Sequence, residues 1–516
     1  MTEQYFFHPD YDSRVHVDYT KLNSIGTAFI GVMGLLSRLE LKAGLVHAEI
    51  PNEDCAREQE YRDAIKNSSK SLKCFKSSFD LDEINSTRQI LCWRDVMKMA
   101  CWDFKTFDNC SDVLADLSVV ESNYKNSFLG IADRWIAVKE YIANSQIPIS
   151  ITACCEKNQI HPTILYILEK LNAKFVPYSD ENGGVLTSYK FKDAFDAYQA
   201  AALTLDPQKD ILVTQNANML NEALVKAGHA EIDASLEDNF SPLVQLFRIT
   251  LLMFAEPRNF RNIVSYLLTS PCPILCGNRL GDYLLEHCGW GDENAWNNFI
   301  SEVQNFTKWD DASNTSVPYT PSEIQDIQNG FNDFKTFIGS IRPNASGTDI
   351  KSKISDLIAW TNSTRAGQII SIQKANLRNI CRRLFILLDE KKSYTPDEIK
   401  SLADSINTSS SVPVASSRVE SFYTYPSFGC IYDSVSDGKV VWIDCYGELA
   451  ESYDYSFLPP SDAAALQRKG VGIWSKTEQV AAKIALMSAA AKHAGTDVVL
   501  FIPQNSDGSR VALSPL

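Results

Sequence analysis

Two segments that alternate strand and helix, held apart by a long segment that reads almost wholly as helix, constrain this chain's fold most. The first contains PISITACC (148–155), a β-rich run entering a loop. HPTILYILEKL (161–171) follows as a helix with Pro162 in its first turn, and AKFVPYS (173–179) as the next strand. Proline is tolerated there because the first helical N–H has no intrahelical partner. Strand, helix and strand in that order make a crossover unit, which implies a parallel sheet. The pattern recurs in DILVTQNANMLNEALVKAGHAEI (210–232), where Gly228 stops the helix. It resumes with the strand KVVWIDC (439–445), the helix TEQVAAKIALMSAAAKHAG (477–495) and the strand DVVLFIP (497–503). In between, from Ser241 to about Leu388, runs such as SPLVQLFRITLLMF, SEIQDIQNGFNDFKTFIGSI and NLRNICRRLFILLDE carry helical signal. NTSSSVPVASS (407–417) is the most linker-like stretch. An α/β part is therefore interrupted by a helical insertion and then completed.

With 516 residues, the chain has room for two to four domains of roughly 100–200 residues each. Hydrophobic residues make up 45% and charged residues 22%, the balance of a globular protein with sizeable cores. MTEQYFFHPD (1–10) lacks the basic start and apolar core of a signal peptide, and the longest apolar run, Ile249–Ala255, is too short to span a bilayer. A cytoplasmic protein without membrane contact is expected. The thirteen cysteines are scattered, mostly in apolar segments where a free thiol packs as a small hydrophobe. Cys272, Cys276 and Cys288, with His287, form the one local group, too loosely spaced for a zinc or iron–sulfur site. A net charge of −15 argues against a body wrapped in nucleic acid but leaves room for a basic groove. RNICRR (378–383) is the small candidate, and a solvated helix face is its plainer reading.

No catalytic signature stands out. A phosphate loop needs Gly-x-x-x-x-Gly-Lys-Ser/Thr, so that backbone amides cradle the phosphates and the lysine reaches the terminal one. The Gly438-Lys439 pair has Asp433 in place of the first glycine and Val440 in place of the hydroxyl. A PD-(D/E)XK nuclease needs an acid, a spacer and then acid-x-Lys on an adjacent strand, so that two carboxylates share a metal. In YTPDEIK the letters Pro396-Asp397 and Glu398-Ile399-Lys400 touch, leaving no spacer. Thr395-Pro396-Asp397-Glu398 instead fits a helix start, with threonine as N-cap and glutamate reaching back. Asp389-Glu390-Lys391 reads as a solvated helix end. Among the histidines, His161 stands between a strand and a helix, a location where sites occur and where a surface or capping role is commoner. Asp444, ending the strand of DGKVVWIDCYG, has no partner acid, and strand termination is its expected role.

The stretches SFDLDEINSTRQILCWRDVMKMACWDF (78–104), LADLSVVES (114–122), VTQNANMLNEALVKAG with SPLVQLFRITLLMF, and CGWGDENAW resemble the helicase-like region of bacterial PD-(D/E)XK nuclease family proteins related to AddB, also called RexB. VVWIDCYGELAESYDYSFLPPSDAAALQRKGVGIW is similar to the closing part of that region, and the resemblance covers most of residues 25–505. It implies a UvrD-type helicase architecture, with two RecA-like parallel-sheet domains bearing helical insertions. The expected division is a degenerate first RecA-like domain over 1–205 and the start of the second over 206–240. A helical insertion follows over 241–411, and the rest of the second domain occupies 412–516.

The resemblance also places relics. Where such helicases carry Asp-Glu-x-Gln-Asp, this chain has Glu156 and Gln159 without the Mg²⁺-holding acid pair. Where they supply an arginine to the γ-phosphate, Ala489, Ala490 and Ala491 stand. No ATP or other cofactor is expected, and Mg²⁺ would belong only to a nuclease domain, which in the family begins at about the place where this chain reaches Leu516. The implied role is an inactive helicase-like scaffold in DNA double-strand-break repair or recombination that holds or guides single-stranded DNA. An AddA-like helicase–nuclease subunit is the implied partner. Arg378, Arg382, Arg383 and Trp290 are the candidate DNA contacts, whereas most tryptophans, including Trp93, Trp102, Trp135 and Trp296, fit helical core faces. One competing role is an interaction module that docks a helicase–nuclease partner and barely touches DNA. Another is an enzyme with a site near His161 or Asp444.

Overall fold

The computed structural model describes residues 3–13, 15–17, 26–45, 53–178, 185–206, 209–214, 217–229, 235–237, 242–257, 259–310, 313–342, 344–362, 371–407, 411–413, 423–433, 438–443, 452–494, 497–506 and 509–510. Its α/β framework consists of two parallel sheets. In the first, β1 (Gln4–Phe7) lies between β2 (Thr27–Ile30) and β3 (Ser150–Ala153), and β4 (Lys174–Phe175) flanks β3. The second contains β5 (Leu186–Phe191), β6 (Ile211–Val213), β7 (Tyr423–Tyr425), β8 (Val440–Trp442) and β9 (Val498–Pro503), in the order β7-β6-β8-β9-β5. Every residue of β6 and β8 is buried, as expected for central parallel strands covered on both faces. Edge strand β5 is exposed at Leu186, Ser188, Tyr189 and Lys190.

The β3–helix–β4 unit forms where its sequence predicts, with the helix at Pro162–Lys170. The second sheet departs from the expected domain division. Strand β5 pairs with β9 along its whole length, and helix Ala194–Thr204 packs beside it, so the second sheet recruits chain from residue 186 onward. The boundary expected between 205 and 206 therefore falls inside this sheet. LTSYKF gives little warning, because an exposed edge strand needs no apolar run.

Six helices build most of the first half: α1 (Val32–Ala43), α2 (Glu53–Ser68), α3 (Glu83–Met99), α4 (Asp112–Asn123), α5 (Ile131–Asn144) and α6 (Pro162–Lys170). Helices α1, α5 and α6 cover the first sheet around a core that includes Phe7, Leu36, Trp135 and Ile167. Helices α2, α3 and α4 form a separate cluster, and Tyr455, Leu458, Leu466 and Ile473 return from the last part of the chain to complete it. The run 91–104 is helical only to Met99. Cys101 then takes φ +65°, which ends the helix and turns Trp102 into the core at 3% exposure.

Helices of the predicted block, among them Pro242–Ala255, Ser371–Leu387 and Pro396–Asn407, share one core that also takes in Cys55 of α2 and Ile84 of α3. Arg62 of α2 donates to the Leu387 carbonyl at 2.9 Å, fastening the two helical parts together. The start of Pro396–Asn407 is the reciprocal cap read from Thr395 and Glu398. The Thr395 N–H donates to Glu398 Oε2 at 2.8 Å, and the Glu398 N–H to Thr395 Oγ1 at 3.3 Å. Trp290, Trp296, Trp102 and Trp135 all pack in or against cores. No helix among the described residues is long and apolar enough to cross a membrane.

Candidate functional site

In a parallel sheet, the loops at the carboxyl ends of the strands build the sites. After β1, residues 8–13 turn instead of entering a helix: the Tyr11 N–H donates to the His8 carbonyl at 3.0 Å. This turn delivers Asp12 to the N-terminus of α1, the helix that follows neighbouring strand β2. Its carboxylate accepts from the Met33 N–H at 2.8 Å and the Gly34 N–H at 2.9 Å. The first N–H groups of a helix lack intrahelical partners and carry partial positive charge, which makes them an anion site. Here a side chain of the same molecule occupies it. The N-cap is Gly31, and a Cβ there would overlap the Asp12 backbone nitrogen and carboxyl carbon.

The same loop bridges to the second sheet. Ser427 Oγ donates to Asp10 Oδ2 at 2.6 Å, the Cys430 thiol donates to the Asp10 carbonyl at 3.2 Å, and the His16 N–H donates to the Cys430 carbonyl at 2.7 Å. Gly429 allows the approach, since a Cβ would run into the Asp10 carboxylate and the His8 ring. Tyr178 shares a 2.6 Å hydroxyl–hydroxyl bond with Tyr11 and donates to the Gly429 carbonyl at 3.1 Å. Its ring stacks on His493, at the end of the long helix α7 (Lys476–His493), with centroids 4.2 Å apart.

Between the carboxyl-end loops of the first sheet and α7 lies a cavity of about 320 Å³, walled by His8, Cys155, Glu156, Gln159, Ala489 and Lys492 among others. Glu156 and Gln159 from the first half and Ala489 from the second, three positions that the family resemblance marks, thus line one space. Gln159 acts locally, its Oε1 accepting from the Glu156 N–H at 2.8 Å and closing the short turn after β3. Glu156 is exposed. His8 is fully buried, and burial pushes its pKa down to about 4 although Asp10 opposes this. Its Nδ1 accepts from the Asp10 N–H at 3.2 Å, so the neutral ring carries its proton on Nε2. That nitrogen finds no partner among the described residues. A ring protonated at Nε2 is not a metal ligand there. The wall combines a neutral histidine, buried thiols with raised pKa values, alanines, one lysine and the exposed Glu156.

His161 proves to be a buried N-cap rather than a surface residue: the Thr163 N–H donates to its Nδ1 at 3.2 Å, and burial depresses its pKa to about 3. Among the described residues no three histidine, cysteine or acidic side chains are placed to hold a metal. Of the cysteine group, Cys272 donates to the Tyr266 carbonyl and Cys276 to the Tyr319 hydroxyl. Asp444 lies outside the described residues.

The candidate DNA contacts do not converge on this cavity. Arg378, Arg382 and Arg383 lie on helix Ser371–Leu387. Arg378 and Arg382 are exposed, Arg378 donating to Asn362 Oδ1 at 2.9 Å, while Arg383 pairs with Asp54 at 2.5 Å. Trp290 is half-buried edge-on to Trp296, centroids 5.5 Å apart, with Lys335 close to both rings. A second cavity, about 1030 Å³, opens among α2, α3 and α5 and is lined by Arg57, Arg88 and Arg134. All three are committed to acids: Arg57 to Asp95 and Asp133, Arg88 to Glu58 at 3.0 Å, Arg134 to Glu40 at 2.6 Å.

Sequence reasoning missed Asp12, Gly31, His8 and Gly429. The first pair leaves one trace, a glycine between an apolar run and a helix, whereas the contact across 19 residues leaves none. Compared with known proteins, the chain matches no family model and no curated sequence.

Proposed function

We propose that this chain is a catalytically silent, helicase-like scaffold of a PD-(D/E)XK nuclease assembly. In this reading it serves DNA double-strand-break repair or recombination in a bacterial cytoplasm and guides single-stranded DNA towards a nuclease centre outside these residues. The two parallel sheets would be RecA-like units bearing helical insertions, and an AddA-like helicase–nuclease subunit would be the partner. The observation that carries the proposal is the Asp12 carboxylate on the N-terminus of α1, at the carboxyl edge of the first sheet. In an active motor, backbone amides at this edge would receive nucleotide phosphate, and a fixed carboxylate repels it. Ala489 stands where the resemblance expects the arginine that meets the γ-phosphate, so that position offers no guanidinium, although Lys492 of the same helix also faces this space.

A second reading, a module that docks a helicase–nuclease partner with little DNA contact, draws on the ion-paired arginines of the larger cavity. Paired guanidinium groups neutralise few phosphates. ATP turnover measured with and without single-stranded DNA tests the silent-scaffold proposal. No turnover above a buffer blank is expected, and DNA-stimulated hydrolysis overturns it.

A further inference from the structure

The end of α3 carries an unusual pair. Lys139 Nζ on α5 lies 2.8 Å from Cys101 Sγ, two residues past the end of α3. N–H···O bonds span about 2.7–3.2 Å, and the larger radius of sulfur carries an N–H···S contact beyond that range. The nitrogen is therefore closer than a hydrogen bond to sulfur requires, and close to the span of one bridging oxygen. Several contacts fix the sulfur in place. Cys101 is held at φ +65°, the preceding Ala100 carbonyl accepts from the Gly472 N–H at 2.8 Å, and Thr163 Oγ1 stands 3.4 Å from Sγ. Lys139 Nζ lies 5.0 Å from the centroid of the Tyr166 ring, which helps to place it. Both residues are half-buried, so a small oxidant reaches them.

We propose that Cys101 and Lys139 form a reversible covalent cross-link, Sγ–O–Nζ, driven by peroxide. One hydrogen peroxide oxidises the thiol to a sulfenic acid with release of water. A second converts the lysine, reacting as the free amine, to a hydroxylamine with release of water. The hydroxylamine oxygen then attacks sulfur, the S–OH bond breaks, and a third water leaves. Thiol, amine and two peroxides thus give the bridge and three waters. The link joins the end of α3, in the helical cluster, to α5 on the first sheet. It adds a covalent lock between two parts of the molecule that already meet through packing and the Arg94–Asp133 ion pair. An external thiol opens it by attacking sulfur: the S–O bond breaks, a mixed disulfide forms at Cys101, and the oxygen leaves with Lys139 as the hydroxylamine. A second thiol then frees the cysteine.

Mass spectrometry of the full chain tests this after peroxide treatment, alkylation and digestion. The expected result is a joined pair of peptides containing Cys101 and Lys139, heavier than their sum by one oxygen and lighter by two hydrogens. It disappears on adding dithiothreitol and is absent from Cys101→Ser and Lys139→Arg, and the exposed Cys74, Cys92 and Cys288 give no such pair. Recovery of Cys101 unmodified or only as sulfur acids, with Lys139 free, overturns the proposal. A joined pair lacking the oxygen, a direct S–N bond, overturns it as well.

Discussion

Asp12 and Gly31 are made for each other: the carboxylate of one fills the helix N-terminus that the other caps, and a methyl group on Gly31 would occupy the space of Asp12 itself. Asp12→Ala removes the acceptor for two helix N–H groups and should cost about 1 kcal/mol. Gly31→Ala should cost more, about 1–3 kcal/mol, because backbone and not a flexible tip must yield. Urea denaturation of the two variants checks the order. A Gly31→Ala protein as stable as the parent would contradict the close approach.

Acid should weaken the fold through its buried histidines. His8 and His161 ionise near 6.5 when unfolded but near 4 and 3 when folded. Between these values the unfolded chain binds more protons. The stability they contribute is therefore complete above about pH 6.5 and is lost as pH falls towards 4 and then 3. At about 1.4 kcal/mol per pKa unit the loss amounts to several kcal/mol. Denaturation midpoints from pH 7.5 to 4.5 should fall steeply, and a His8→Gln, His161→Gln double variant should flatten the slope.

The legible part of the fold is the part written in contiguous residues. The β3–α6–β4 unit, the Thr395–Glu398 cap and the core placement of most tryptophans all rest on local spacing, and local spacing is what periodicity and capping rules read. Glu156 and Gln159 are legible beside one strand and Ala489 beside another, but nothing in either stretch says that they line one cavity. What stayed hidden joins distant residues: Asp12 to α1, Asp10 to Ser427, Lys139 to Cys101. Strand β5 was hidden for another reason, since an exposed edge strand carries no apolar run.

Arg94 holds the helical cluster to α5 from a fully buried position, pairing with Glu121 at 2.9 Å and Asp133 at 2.7 Å. Burial works to raise the Asp133 pKa, yet the Arg94 guanidinium overrides it and holds the carboxyl below its usual range. Arg94→Met takes the cation from Glu121 and leaves Asp133 the longer contact to Arg57, at 3.4 Å, and should cost about 3–5 kcal/mol. Thermal unfolding of the variant should show a large drop in midpoint, and a near-neutral result would mean that the acids find other partners.

Arg378 and Arg382 are exposed, whereas Arg383 is committed to Asp54. If the helix meets a DNA backbone, Arg378→Ala and Arg382→Ala should each reduce the salt slope of binding by about 1 for each phosphate no longer neutralised. Arg383→Ala should act mainly on stability.

The most direct test of the scaffold proposal is fluorescence anisotropy of a labelled single-stranded oligonucleotide, titrated with the protein at low salt and again as salt is raised. Phosphate contacts are strongest at low salt. The proposal predicts binding there without nucleotide, weakening as salt rises. No binding even at the lowest salt would contradict it.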